Sequence, residues 1–153
     1  MTNADNAAKI LTESIGKQGE PGEWFLVDQD RINAFADATG DHQWIHIDAD
    51  RAKNESPYGT TIAHGFLTLS MIPTLTKENY RVENAKMAIN YGSNKVRFIA
   101  AVPSGGRIRA RSELIDAAKV DDNTVNLTVK NTIELDGSTK PAAIAETIVR
   151  VLF

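Results

Sequence analysis

Residues 40–46 place a carboxylate and two imidazoles directly after the end of a predicted helix. Within this stretch Asp41 and His46 are five positions apart, and Gly40 is a typical helix terminator. An aspartate and a histidine together can hold a water, remove its proton and return a proton elsewhere, because imidazole titrates near neutrality. A solvated aspartate and a capping histidine in a surface turn would have the same spacing, so spacing alone leaves both interpretations open.

His64 and Gly65 form a second candidate, at the start of a strongly apolar segment that is predicted to be a helix. The first N–H groups of a helix have no partners within it and point at whatever lies before them. Glycine lets a ligand approach the backbone closely, so these amides suit a developing oxyanion on a carbonyl. In the alternative interpretation Gly65 only relieves crowding where the helix enters a sheet.

Other reactive side chains carry weaker patterns. The three histidines lack the HxxxH or HExxH spacing of a helical metal site, so we expect no metal; they are His42, His46 and His64. Ser70 lies in the middle of the apolar helix without the pattern of a nucleophilic serine. A serine in such a place more often bonds a backbone carbonyl or lines a cavity.

Three arginines alternate along one predicted strand: they are Arg107, Arg109 and Arg111. A solvated strand face is the usual explanation of such a pattern. A phosphate-bearing ligand is the more specific one, with Lys95 and Arg97 as alternative contributors.

Composition narrows the function further. The chain has 153 residues, a net charge of −3 and no cysteine. A single domain over 1–153 is expected, with residues 1–22 as an N-terminal extension. The charge argues against nucleic-acid binding, and the missing cysteines exclude a thiol nucleophile. No segment resembles a signal peptide or a membrane span, which favours a cytoplasmic protein.

The first half of the chain is predicted to be mostly helical. We expect a short helix within 7–14, a strand at 24–27 and a helix after Asp28, its N-cap. A further short helix is possible at 48–54. From 62 to 75 the apolar residues surround the helical axis, which is typical of a helix enclosed by other elements, and Pro73 should kink it.

The second half predicts the enclosing sheet. Apolar residues alternate from Met87, shift phase at Gly92 as in a β-bulge, and alternate again along three further strands. One face of the strand 125–135 is apolar, and Asp136–Gly137 is a hairpin turn signal. Four antiparallel strands after one apolar helix predict an α+β fold, a curved sheet wrapped around a central helix.

Three blocks in this order resemble the MaoC-like hydratase/dehydratase family, which includes nodulation protein N-like proteins and has the hot-dog fold. The family motif Gly-Asp-x-Asn-Pro-aliphatic-His matches residues 40–46, except that Gln43 and Trp44 replace its Asn and Pro. Residues 62–68 resemble the start of the family's central helix, and residues 90–98 the strand that follows it. The resemblance covers the chain from about Trp24 to its end.

The resemblance implies a hydro-lyase that reversibly hydrates trans-2-enoyl-CoA to (3R)-hydroxyacyl-CoA. It implies that Asp41 and His46 activate water while Gly65 supplies an oxyanion amide. The residues expected to contact substrate are Trp44, His64, Ser70, Asn94, Lys95 and Arg97.

It also implies an acyl-CoA or acyl-carrier thioester substrate, no cofactor beyond that carrier, and a homodimer. An acyl-CoA thioesterase and a non-catalytic acyl-thioester-binding protein remain as alternatives, because fold alone does not decide function.

Overall fold

The computed structural model describes residues 1–79 and 81–153. Its helices are α1 (Asn3–Thr12), α2 (Gln29–Thr39), α3 (Trp44–Ile47), α4 (Ala49–Glu55), α5 (Gly65–Ser70) and α6 (Ile72–Leu75). Its strands are β1 (Phe25–Val27), β2 (Met87–Phe98), β3 (Gly106–Asp121), β4 (Thr124–Leu135) and β5 (Ala143–Leu152). Within the described ranges no helix has the length and apolar character needed to cross a membrane.

The five strands form one antiparallel sheet in the order β1-β3-β4-β5-β2. The alternation predicted for β4 is confirmed, because its odd-numbered apolar side chains are all buried. They are Val125, Leu127, Val129, Ile133 and Leu135. The inner face of the sheet is therefore fixed by period-two alternation.

The central helix begins later than predicted and is interrupted before Pro73, although it ends at Leu75 as predicted. Residues 61–63 are extended instead of helical: Ile62 bridges Pro103, and the Ala63 N–H donates to Val102 O at 2.8 Å. Regular helix begins at Gly65, ends at Ser70 and resumes as α6, with Pro73 in the first turn of the new segment. A proline is tolerated in a first helical turn, where its missing N–H costs no helical bond.

Four side chains of α5, α6 and their junction pack on the inner face of the sheet, forming the main apolar core with β1, β3, β4 and β5. They are Leu67, Met71, Ile72 and Leu75. Phe66, however, is 69% exposed, so the apolar residues that surround the helical axis are not all enclosed by other elements. The architecture is the expected α+β hot-dog arrangement of one sheet packed on a central helix.

Strand β2 lies at an edge of the sheet and pairs with β5. The bulge predicted at Gly92 is confirmed by a register shift between Asn90 and Gly92, and a second shift occurs between Ser93 and Lys95. Except for the half-buried Val96, its residues are exposed. The edge strand thus presents a long, uncovered surface.

The local signals around α2 are confirmed. Asp28 caps the helix by accepting the Arg31 N–H at 2.9 Å, and Gly40 ends it in the left-handed region with φ of 78°. Helix α1 begins and ends earlier than predicted and packs Ala4 and Ala7 into a second apolar cluster. Helix α3 was not predicted.

One polar group interrupts the apolar inner face of the sheet. Asn131 on β4 is 1% exposed, accepts the Ser112 hydroxyl of β3 at 2.8 Å and donates to Thr147 Oγ1 of β5 at 3.1 Å. The Asn79 side chain donates in turn to Ser112 Oγ at 3.2 Å. The two apolar clusters are therefore joined by a hydrogen-bonded polar group.

Candidate active site

Asp41 lies at the surface directly after the end of α2. Gly40 adopts its positive φ, its N–H donates to Ala36 O at 2.8 Å, and the chain turns away from the helix. The Asp41 carboxylate accepts the Gln43 N–H at 3.3 Å, and its side chain is 52% exposed. A carboxylate held in this turn is open to a ligand.

His46 projects inward from α3 and is 6% exposed. Its Nδ1 lies 2.7 Å from Ile62 O. A carbonyl can only accept, so Nδ1 carries the hydrogen and Nε2 keeps its lone pair. This tautomer suits a base that acts through Nε2.

Burial lowers the pKa of His46 below its usual range, since the charged imidazolium loses hydration there. The bond to Ile62 O and the charge of Asp41 oppose this shift, while the neighbouring His64 adds to the lowering of the pKa. His46 is therefore neutral near pH 7, the form in which imidazole can accept a proton.

His64 lies beneath this pair and is 2% exposed. Its ring stacks on that of His46, with centroids 3.7 Å apart and an interplanar angle of 23°, and Phe35 packs against it at 4.9 Å. Its Nε2 donates to Asp41 O at 3.0 Å and lies 4.0 Å from Asp41 Oδ2. The ring thus ties the loop that carries Asp41 to the imidazole of His46.

The three side chains converge. One carboxylate oxygen of Asp41 and one ring nitrogen from each of His46 and His64 lie within 4.8 Å of one another. Two hydrogen bonds of about 2.8 Å that meet at a tetrahedral water span about 4.6 Å, so a separation of this order suits a shared water. Among the described residues this cluster could also hold a metal ion.

Gly65 begins α5, directly after His64. A Cβ at this position would lie 2.9–3.1 Å from the Phe98 ring of β2. The interpretation that glycine relieves crowding is therefore supported, and the oxyanion role of its N–H stays a prediction.

The other predicted substrate contacts lie in different places. The Arg51 guanidinium covers the Trp44 ring at 4.2 Å, and the Ser70 hydroxyl donates to Leu67 O at 2.8 Å. Three more lie exposed on the edge strand β2: Asn94, Lys95 and Arg97. Asn94 donates to the Glu146 carboxylate at 2.8 Å. The structure brings together Asp41, His46 and His64, the last of which adjoins Gly65 in the chain.

A cavity of about 770 Å³ opens between the central helix and the sheet. Its apolar wall includes Leu69, Ile72, Leu127, Val129, Val149 and Val151, and Ser70 also lines it. The edge strand contributes residues from Met87 to Ser93. The volume of this cavity and its mostly apolar lining are typical of a ligand pocket.

The alternating arginines are paired with two carboxylates. Arg109 and Arg111 pair with Glu134 at 2.6 and 3.1 Å, and Arg107 pairs with Asp136. This pairing favours the solvated strand face over a phosphate site.

Sequence reasoning missed two residues that support the histidines. The Gln29 side chain donates a hydrogen bond to the His46 carbonyl, and the buried Thr61 hydroxyl donates one to the Gln29 side chain. Their partners are 17 and 32 residues away, so no local pattern reveals them.

Residues 11–136 match the family described as the MaoC like domain. The chain belongs to this MaoC-like family. The family resemblance predicted from the three blocks is confirmed.

Relatives of this MaoC-like chain extend over most of its length. A 3-hydroxyacyl-thioester dehydratase Z of Mycobacterium tuberculosis is 51% identical over 140 residues, 92% of each chain. Nodulation protein N of Rhizobium leguminosarum bv. viciae is 39% identical over 140 residues, covering 91% of this chain and 87% of the relative. The R-hydratase of Pseudomonas aeruginosa superposes with a TM-score of 0.65 at 20% identity, over 88% and 79% of the chains, and shares the fold.

Proposed function

We propose that this MaoC-like chain is a hydro-lyase that reversibly hydrates trans-2-enoyl-CoA to (3R)-hydroxyacyl-CoA. The observation that carries the proposal is the convergence of the exposed Asp41 carboxylate and the neutral His46 imidazole within 4.8 Å. A relative that covers 92% of the chain is named a 3-hydroxyacyl-thioester dehydratase, which supports the reaction class.

In the proposed mechanism, Asp41 and His46 hold one water beside C3 of the enoyl thioester. His46 Nε2 takes a proton as the water oxygen bonds to C3, and the electron pair moves onto the thioester oxygen as an enolate. The pair Asp41 and His46 (the dyad) then delivers a proton to C2, which completes the addition of H and OH. The Gly65 N–H steadies the enolate oxygen, an interaction worth about 10²–10³ in rate at comparable sites.

The cavity between helix and sheet suits the acyl chain of the substrate. Its volume of about 770 Å³ and its largely aliphatic wall match an extended hydrocarbon. We assign the carrier to the exposed side, where Lys95 and Arg97 can meet phosphate groups. A screen of 2-enoyl-CoAs of increasing chain length, with the product configuration determined, measures how much of the cavity a substrate uses.

We further propose that two copies pair through β2. Four large apolar side chains of this edge strand are 45–55% exposed: Met87, Ile89, Tyr91 and Phe98. An uncovered edge of this length is an open template for strand pairing. A second copy there would also close one side of the cavity, since Met87, Ala88 and the residues Asn90 to Ser93 border it.

Hydration of crotonyl-CoA, followed by the loss of enoyl absorbance, tests the reaction. Positioned acid–base groups contribute about 10²–10⁴-fold, so Asp41→Asn and His46→Gln should each lower kcat/KM by about that factor. His42→Gln is the matched control, because His42 lies in the same loop but bonds the exposed Asp37 at 2.8 Å. Near-normal turnover in either dyad variant would refute the assignment.

Two further measurements distinguish the two alternative functions. Thiol release from a saturated acyl-CoA, without enoyl hydration, would identify a thioesterase. Binding of acyl-CoA without either reaction would identify a non-catalytic acyl-binding protein.

A further inference from the structure

The first residue of α2, Gln29, makes three side-chain hydrogen bonds to different parts of the site. Its Nε2 donates to His46 O at 2.7 Å and to Asn33 Oδ1 at 2.9 Å. Its Oε1 accepts the Thr61 hydroxyl at 2.5 Å. Both amide hydrogens and the amide oxygen are therefore engaged.

These contacts join the two segments that define the base. One is α3, which carries His46; the other is the extended stretch 61–63, whose Ile62 carbonyl accepts the His46 Nδ1 hydrogen. A single backbone bond also links them, from the Ile62 N–H to Ile45 O at 3.0 Å. Gln29 adds a third link, because it hydrogen-bonds both the His46 carbonyl and the side chain of Thr61, the residue next to Ile62.

Only a carboxamide satisfies both partners. The His46 carbonyl requires a donor and, with the Thr61 hydroxyl turned toward Gln29, Oε1 must accept. A carboxylate would face the carbonyl at about 2.7 Å without a hydrogen to give, and an aliphatic side chain would leave both groups unpaired. An unpaired buried group costs about 1–3 kcal/mol, which the segments can avoid by moving apart.

We propose that Gln29 is a positioning residue that sets the distance between α3 and Ile62, and so keeps the His46 hydrogen on Nδ1 and the lone pair on Nε2. Gln29 does not touch the reacting atoms. This inference rests on the proposed function for its effect on rate, whereas its effect on the imidazole is independent of any reaction.

The test combines steady-state kinetics with ¹⁵N NMR of the histidine rings in the full-length protein. Gln29→Leu and Thr61→Val each break the hydrogen-bonded link between His46 O and Thr61 (the tie), while Thr61→Ser keeps the hydroxyl. Asn33→Ala is the matched control, because Asn33 is exposed and its loss leaves both other Gln29 bonds in place. Displacements of about 1 Å cost about 10²-fold in rate, so we expect kcat to fall by about 10–100-fold in the first two variants with KM changed less than about threefold.

The NMR spectra should show His46 with the hydrogen on Nδ1 in the wild type, Thr61→Ser and Asn33→Ala, and a mixture of tautomers in Gln29→Leu and Thr61→Val. An unchanged tautomer in both tie-removing variants overturns the proposal, whatever their kinetics. A variant that does not fold is replaced by the other, since both remove the same tie. If the wild type does not hydrate enoyl-CoA, the proposed function fails while the NMR comparison still decides the role of Gln29.

Discussion

His46 combines a fixed tautomer with a lowered pKa. The bond from Nδ1 to Ile62 O determines which nitrogen is free, and burial determines that this nitrogen is unprotonated near neutrality. Asp41 is held differently, in an exposed turn at the end of α2. The two side chains thus lie in different environments, since the Asp41 carboxylate is half exposed and the His46 imidazole is buried.

The pH dependence of hydration follows from this lowered pKa. Because the neutral imidazole is the active form in the proposed mechanism, kcat/KM should stay constant as pH falls to about 6.5 and decline only below it. His46 takes up a proton near pH 6.5 in the unfolded chain and at lower pH in the folded chain, so its contribution to folding stability should decrease below about pH 6.5. His42 acts in the opposite sense because Asp37 raises its pKa, so the His46 contribution is taken as the difference between the wild type and His46→Gln. A pH–rate profile with urea unfolding at several pH values checks both; an acid limb centred at or above pH 6.5 would contradict the assignment.

The sequence predicted Asp41 and His46 because the stretch 40–46, which contains both, resembles the motif of the family. It could not predict the stack of His64 on His46, or the bonds of Gln29, because these contacts form between segments brought together only by folding. Residues of the central helix show the same limit. The segment 61–63 has the apolar character of the helix after it, yet it is extended because it pairs with 102–104, about 40 residues away.

At the scale of elements, the contact between α5 and β2 is tight. The Phe98 ring fills the space beside Gly65, and the neighbouring Phe66 ring meets Phe98 edge to face at 5.9 Å. Any side chain at position 65 must displace this ring. The start of the central helix and the end of the edge strand are therefore packed as a pair.

Gly65→Ala should destabilise the fold by about 1–3 kcal/mol, the usual cost of overpacking. Phe98→Leu replaces the ring that faces position 65 by a smaller side chain. It should therefore recover part of the lost folding stability in the double variant. Urea unfolding of the wild type, both single variants and the double variant measures the coupling. Strict additivity of the two changes would show that the ring does not set the space at Gly65.

At the scale of the whole molecule, the two sheet edges differ. Strand β1 is three residues long, whereas β2 spans twelve and carries exposed apolar side chains. Short edges resist pairing and long apolar edges favour it. The cavity borders the long edge, so the proposed dimer contact and the proposed acyl site would share the same strand.

Replacing Ile89 by lysine should weaken the proposed dimer, because a charge on an edge strand opposes pairing with a second copy. Val120→Lys is the control, since Val120 is 49% exposed at the far end of β3 and Ile89 is 45% exposed on β2. Sedimentation velocity at micromolar concentration should show a wild-type and Val120→Lys dimer and an Ile89→Lys monomer. A monomeric wild type would contradict the proposed assembly.

The buried Asn131 has a consequence for how the sheet assembles. A β3–β4 hairpin whose register is shifted by two residues keeps every apolar side chain on the inner face. Burial of apolar side chains therefore hardly distinguishes it from the native register. In the native pairing Asn131 lies opposite Ser112, whereas the shifted pairings would place it opposite Ala110 or Leu114. Its amide would then lose the Ser112 hydroxyl, at a cost of about 1–3 kcal/mol. This one polar side chain thus acts against misaligned hairpins that the apolar pattern alone would accept.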